Sequence, residues 1–157
     1  MRIGFGFDVH QLAEGKKFFL GGIEVPHSKG GVGHSDADVM IHAICDALLG
    51  AANLGDIGKH FPDTASEYKN IDSKILLKRV CDLLSQAKYK IGNIDVTLCL
   101  QLPKIAPFIP RMKSTMAAVM GISQDDLSIK ATTTEKLGFV GRTEGVSCYA
   151  VVLILKA

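Results

Sequence analysis

Asp8 and His10 stand one residue apart in the stretch IGFGFDVHQL, residues 3–12. Alternate residues of a strand share a face, so these two potential metal ligands point one way and Val9 the other. Two ligands make a poor site, and a strand end meeting solvent, with His10 bonded locally, accounts for the same pair. A third donor stands in DADVMIH, where His42 follows Asp38 by four residues and shares its helix face. Asp8, His10 and His42 together make a two-His, one-Asp set for a zinc-like ion. Three protein ligands leave the fourth position open, as catalytic metals require. Nothing in the spacing joins strand to helix, and a solvated imidazole is the other reading of His42.

Two further stretches carry polar chemistry. GGVGHS places glycines and small polar residues before that helix, where free N–H groups suit phosphate. It is not a Walker loop, and GFGFDV lacks the third glycine of a dinucleotide fingerprint. A flexible connector is the plainer reading. In KATTTEKLGFVGRTEG, three threonines leave a strand and precede Glu135, Phe139 and Arg142. Hydroxyls bond phosphate oxygens, a carboxylate holds a hard divalent ion, and an arginine binds an anion bidentately. A polar turn with threonines chosen for strand propensity is the alternative. DIGKHFPD offers Asp56 and Asp63 around Gly58, which alone is loop composition.

The elements that must position these residues are legible from periodicity. Residues 2–10 read as a strand, 17–26 as a short hairpin across Gly21-Gly22, and 27–35 as a loop. A helix covers 36–55, with Met40, Ile44, Ala47, Leu48 and Ala51 at helical spacing and Ser35 or Asp36 able to cap it. Residues 56–70 read as a polar loop, and a second helix runs over 72–88. Residues 93–101 alternate as a strand, with Ile94, Val96, Leu98 and Leu100 on one face. A third helix follows Pro110 and ends near Gly121, and strands cover 127–133 and 146–157. The expectation is one α+β domain over 1–157, a ferredoxin-like sandwich. Its mixed four-stranded sheet carries helices on one face and a small hairpin beside it. In the last strand both alternating sets, Cys148-Ala150-Val152-Ile154 and Tyr149-Val151-Leu153-Leu155, are largely apolar. A sheet with one wet face alternates apolar with polar, so a second subunit is expected over the face the helices leave bare.

Composition narrows the class. The chain has 157 residues, enough to bury about 70% of the unfolded surface without staples. Net charge is +2 with scattered basic residues, so no nucleic-acid or membrane partner is expected. No apolar run reaches the roughly 20 residues of a membrane span. Four widely spaced cysteines show no Cys-x-x-Cys pair. They read as reduced thiols of a cytoplasmic protein, and the N-terminus lacks the apolar core of a signal peptide.

FDVH, GHSDADVMIHAICDALLGAANLGDIGKHFPDT, PKIAPFIPRM and TTTEKLGFVGRTEG, in this order and spacing, resemble one family over essentially the whole chain. That family is the 2-C-methyl-D-erythritol 2,4-cyclodiphosphate synthases of the non-mevalonate route to isoprenoids. Its members are phosphorus-oxygen lyases. They convert 4-diphosphocytidyl-2-C-methyl-D-erythritol 2-phosphate to the 2,4-cyclodiphosphate and release CMP.

The resemblance implies one Zn2+ per subunit on Asp8, His10 and His42, and Mg2+ or Mn2+ on Glu135. His34 and Thr133 would be catalytic, donating to charge on the five-coordinate phosphorus. Substrate contacts would come from Asp8, Val9 and His10, from His34 and Ser35, and from Asp56, Ile57 and Gly58 at the methylerythritol hydroxyls. Phe61, Pro62, Asp63, Thr64 and Ala65 would close that loop. Leu100, Gln101, Leu102, Pro103, Lys104, Ile105 and Ala106, with Thr132, would form the cytidine and diphosphate pocket beside Thr133, Thr134 and Glu135. The resemblance further implies a homotrimer with active sites between subunits. An apolar channel on its axis would be able to hold an isoprenoid diphosphate near Phe139 and Arg142. Two positions depart from the family pattern: Ala65-Ser66 replaces Asp-Pro after FPDT, and Leu100 stands where a smaller residue is common. A zinc hydrolase and a non-catalytic isoprenoid-binding trimer are the alternatives. The first needs a general base at the metal water, and the second has no use for Glu135 and the threonines.

Overall fold

The alternation that begins at residue 2 runs beyond His10, and β1 spans Arg2–Glu14 in a computed structural model that describes residues 1–157. A hairpin of β2 (Phe19–Leu20) and β3 (Ile23–Glu24) follows, turning through Gly21 and Gly22 at positive φ. Then come β4 (Lys29–Val32), α1 (Val39–Ala52), the short α2 (Ile57–His60) and α3 (Ser73–Gln86). The second half contains β5 (Tyr89–Cys99), α4 (Ile109–Met120), β6 (Leu127–Thr132), the short α5 (Gly138–Gly141) and β7 (Gly145–Lys156). No helix is long and apolar enough to cross a membrane.

The sheet has five strands, not the expected four, in the order β4-β1-β7-β5-β6. Only β5 and β6 are parallel. The added strand falls within the segment read as loop. Its glycines suggested flexibility, yet a Cβ on Gly30 would sit 2.0 Å from the Lys17 carbonyl oxygen. They are there for close approach. Gln11 to Glu14 pair with this strand, which is why β1 outruns its expected end. The loops expected at 56–70 and at 133–145 (TTEKLGFVGRTEG) likewise contain the single helical turns α2 and α5.

One face of the sheet is closed by α1, α3 and α4 over a core that includes Ile94, Val96, Leu98, Cys148, Ala150 and Val152. Helix α1 is buried almost all round, and only His42, Asp46 and Gly50, four apart, escape burial. Its cap is Asp38, not Ser35 or Asp36. The fully buried Asp38 carboxylate accepts the N–H groups of Met40 and Ile41 and also those of Gly21 and Gly22. That ties the hairpin turn to the helix start. The opposite face is bare. Ile3, Phe5, Phe7 and Val9 of β1 are exposed there beside Tyr149 and Val151 of β7, in the register Phe5 to Val151 and Phe7 to Tyr149. Of the two apolar sets in the last strand, Cys148-Ala150-Val152-Ile154 faces the helices.

Candidate active site

Helix α1 lies unusually close to β1 because β1 offers it glycines. A Cβ on Gly4 would fall 1.9 Å from the Ala47 carbonyl oxygen, and one on Gly6 2.0 Å from that of Ala43. Backbone packs on backbone, and His42 is carried down to the strand beside Asp8. Asp8 Oδ2 lies 3.0 Å from His10 Nδ1 and 3.1 Å from His42 Nδ1. The periodicities that could not join strand to helix are thus joined by packing.

The three side chains can place one ligand atom each within 4.8 Å of one another. Ligands at about 2.0–2.2 Å in a tetrahedron are separated by roughly 3.3–3.6 Å, so the cluster needs little adjustment to hold such an ion. His10 Nδ1 makes the case stronger. It is buried and, although close to Asp8, has no aligned hydrogen-bond partner. An orphaned buried donor atom next to a carboxylate is what a cation would satisfy. Burial pushes the Asp8 carboxyl up, but the two imidazoles outweigh this and draw it down to about 2. Burial also opposes charge on His42, while Asp8, Asp38 and Asp36 raise its pKa overall. The site has net affinity for positive charge. Asp38 itself stays outside the cluster, turned to the hairpin glycines.

The cluster opens on a cavity of about 520 Å³. His34 and Ser35 line it on one side, and Ile57, Gly58, Phe61, Pro62, Asp63 and Thr64 on the other. The His34 Nε2 lies 3.3 Å from the Ala65 carbonyl oxygen. The contact at position 65 is made by its backbone carbonyl, which does not depend on the side chain there. Asp56 is not in the lining. Its Oδ1 caps α2 by accepting the Lys59 N–H at 2.9 Å, while Asp46 accepts the Ile57 N–H at 2.7 Å and holds the same turn. Val9 points to the bare face, 45% exposed, so only its backbone is available to a ligand in this cavity. Tyr68, Ile71 and Leu76 also line the cavity, unforeseen because nothing local marks them.

Leu100 to Ala106, with Thr132 and Thr133, line a second cavity of about 340 Å³. Thr133 Oγ1 donates to Glu135 Oε1 at 3.0 Å, and Thr134 Oγ1 to the Leu137 carbonyl at 2.7 Å. Glu135 and Lys136 both adopt positive φ, a strained turn that leaves the Glu135 carboxylate exposed. Arg142 meets Glu144 through two 3.0 Å hydrogen bonds, and Phe139 is 42% exposed. The two cavities share no residue. Asp8 on β1 and Thr132 on β6 are separated by β7 and β5, three strand spacings or about 14 Å. One chain brings His34, Ser35 and the triad together and leaves Thr133 and Glu135 elsewhere.

The fold is a two-layer α+β sandwich that holds a half-buried His/Asp cluster at the mouth of a cavity, which makes it a candidate metal-dependent enzyme. The YgbB family profile matches residues 1–155, and the chain belongs to the YgbB family. The 2-C-methyl-D-erythritol 2,4-cyclodiphosphate synthase of Bacteroides thetaiotaomicron is 66% identical over 156 residues, 99% of this chain and 98% of its own. Among solved structures, the bifunctional IspDF from Campylobacter jejuni superposes with a TM-score of 0.96 at 40% identity. The match covers 99% of this chain but 42% of that longer one. A CDP complex of IspF from Plasmodium falciparum superposes at 0.86 with 33% identity, over 99% of this chain and 96% of its own.

Proposed function

We propose that the chain converts 4-diphosphocytidyl-2-C-methyl-D-erythritol 2-phosphate to 2-C-methyl-D-erythritol 2,4-cyclodiphosphate and CMP. The observation that carries this reading is the triad opening on the His34–Ser35 cavity in a chain so similar to named synthases. An oxygen of the 2-phosphate forms a bond to the β-phosphorus, and the bond from that phosphorus to the oxygen bridging the α-phosphate breaks. CMP leaves with the bridging oxygen. Two anionic groups must be brought together, so positioning and charge neutralisation are the main demands on the protein.

Zinc held by Asp8, His10 and His42 would supply Lewis acidity at a phosphate oxygen. His34 and Thr133 would donate to the charge on the five-coordinate phosphorus, with Ser35 beside them. Glu135 would hold magnesium or manganese against the diphosphate. The turn at Ile57 and Gly58 and the Phe61–Ala65 segment would enclose the methylerythritol. Asp56 would have one carboxylate oxygen left for its hydroxyls, since Oδ1 is used as a cap. Leu100 to Ala106, with Lys104 and Thr132, would receive the nucleotide.

Those two halves lie about 14 Å apart on one chain, which supports a homotrimer in which a neighbour completes each site. The exposed apolar face of β1 and β7 supports the same assembly. An axial channel would place Phe139 and Arg142 near an isoprenoid diphosphate, which would compete with Glu144 for the guanidinium. We place the enzyme in the cytoplasm, where its thiols stay reduced. Phosphorus NMR on the synthetic substrate tests the activity: ring product with stoichiometric CMP is expected. Inorganic phosphate would show a hydrolase instead.

A further inference from the structure

Ser73 is fully buried at the start of α3, a helix already capped by Asp72. Its Oγ donates to Asp36 Oδ1 and lies 3.0 Å from His42 Nε2. Asp36 is itself fixed. Its Oδ2 accepts the Ser73 backbone N–H at 3.0 Å, and its Oδ1 the Asp38 N–H at 3.3 Å. A carboxylate has no proton to give, so the single hydroxyl proton of Ser73 is committed to Asp36. Toward the imidazole, Ser73 Oγ is only an acceptor. His42 must therefore carry a proton on Nε2, and Nδ1, hydrogen-bonded to Asp8 Oδ2 at 3.1 Å, is the nitrogen a cation would take over in place of that bond.

From this geometry we infer that Ser73, anchored by Asp36, is a positioning residue that locks His42 with its proton on Nε2 and presents Nδ1 to the metal. The inference rests on the metal reading of the triad and extends it to residues that touch neither ion nor substrate. It also decides the direction of Ser35. Ser35 Oγ lies 3.1 Å from His42 Nε2 and accepts the Ala37 N–H at 3.1 Å. The one Nε2 proton is shared between Ser73 Oγ and Ser35 Oγ, so this bond and that from the Ala37 N–H both fall on Ser35 lone pairs. The Ser35 proton is then free to point into the cavity, where a phosphate oxygen is the complementary acceptor. Helix α3 thus sets the polarity of the whole chain Asp36–Ser73–His42–Ser35.

Nitrogen-15 histidine spectra of the metal-free chain, in neutral and in alkaline buffer, test the lock directly. Wild type should keep the His42 Nε2 proton in both buffers, and Ser73→Ala should lose that preference. Chelator competition on the same two proteins should show zinc affinity falling roughly 10- to 100-fold in Ser73→Ala. A bare Nε2 with a protonated Nδ1 in wild type would overturn the inference, with no variant needed. So would a Ser73→Ala protein matching wild type in both spectrum and zinc affinity. A wild-type chain that keeps the Nε2 proton but takes up no zinc would bear out the lock and sink the metal reading instead.

Discussion

Replacing Gly6 by alanine attacks the contact that brings His42 to Asp8 and His10 in the candidate metal site. The new Cβ would lie 2.0 Å from the Ala43 carbonyl oxygen and 2.7 Å from the Ala47 nitrogen. Both are backbone atoms of α1, so no side chain can swing aside. Ordinary contact begins near 3.4 Å, and the helix must retreat by on the order of 1 Å. Such overpacking typically costs about 1–3 kcal/mol. At about 2–4 °C per kcal/mol for a chain of this size, the melting temperature should fall by several degrees. The functional loss should be the larger effect. His42 adjoins Ala43, and metal ligands tolerate shifts of only about 0.2 Å, so zinc affinity should drop at least tenfold. Gly50→Ala, on the open stripe of the same helix where an added Cβ meets nothing within 4 Å, is the control. It should be neutral or slightly stabilising. Calorimetry and chelator competition on the two variants decide the matter. A Gly6→Ala protein that melts and binds zinc like wild type would mean that the approach of α1 to β1 does not position His42.

Glu135→Gln should keep its zinc but lose dependence on added magnesium or manganese, with turnover down about 10²-fold. Normal manganese titration at full rate would remove Glu135 from that role. Val152 is 1% exposed under the helices, so Val152→Asp should destabilise the subunit by several kcal/mol, read as a lower melting temperature. Val151→Asp on the bare face should leave the subunit folded and shift sedimentation toward monomer; trimers unchanged in the variant would refute the placing of this face at the contact between copies. In the metal-free chain, the Asp8 carboxyl is lowered from 3.8 to about 2. Its contribution to stability, about 2 kcal/mol, is present above pH 4 and lost as pH falls toward 2. Acid unfolding of Asp8→Asn should lack that component.

What periodicity carries was readable, and what depends on approach was not. The stripe of α1 and the alternation of β5 follow from apolar spacing alone, because burial on one face is a local demand on sequence. Asp8 and His10 were readable as a pair for the same reason. Their meeting with His42 was not, since it depends on Gly4 and Gly6 admitting a helix backbone. Glycine misled twice: it suggested a loop where Gly30 and Gly31 build β4, and it gave no hint of the close packing on β1. Asp38 was overlooked as the cap because three polar candidates precede the helix. The donors that choose among them come from Gly21 and Gly22, far away in sequence. Ser73 left no signal, since a serine opening a helix reads as ordinary helix-start composition.

The separation of the two cavities has a consequence for when activity begins. On the proposed reading, a chain whose triad on β1 lies about 14 Å from Thr132 at the end of β6 carries two half-sites and no whole one. Under the proposed assembly, catalysis is a property of the encounter between copies. A newly made chain is inert however well it folds, and specific activity falls on dilution below the point where copies part. Interface side chains such as Phe5, Phe7 and Tyr149 then become rate-determining without touching substrate. Two inactive variants, one damaged in each half, would also restore function when mixed, because some contacts between copies pair two intact halves.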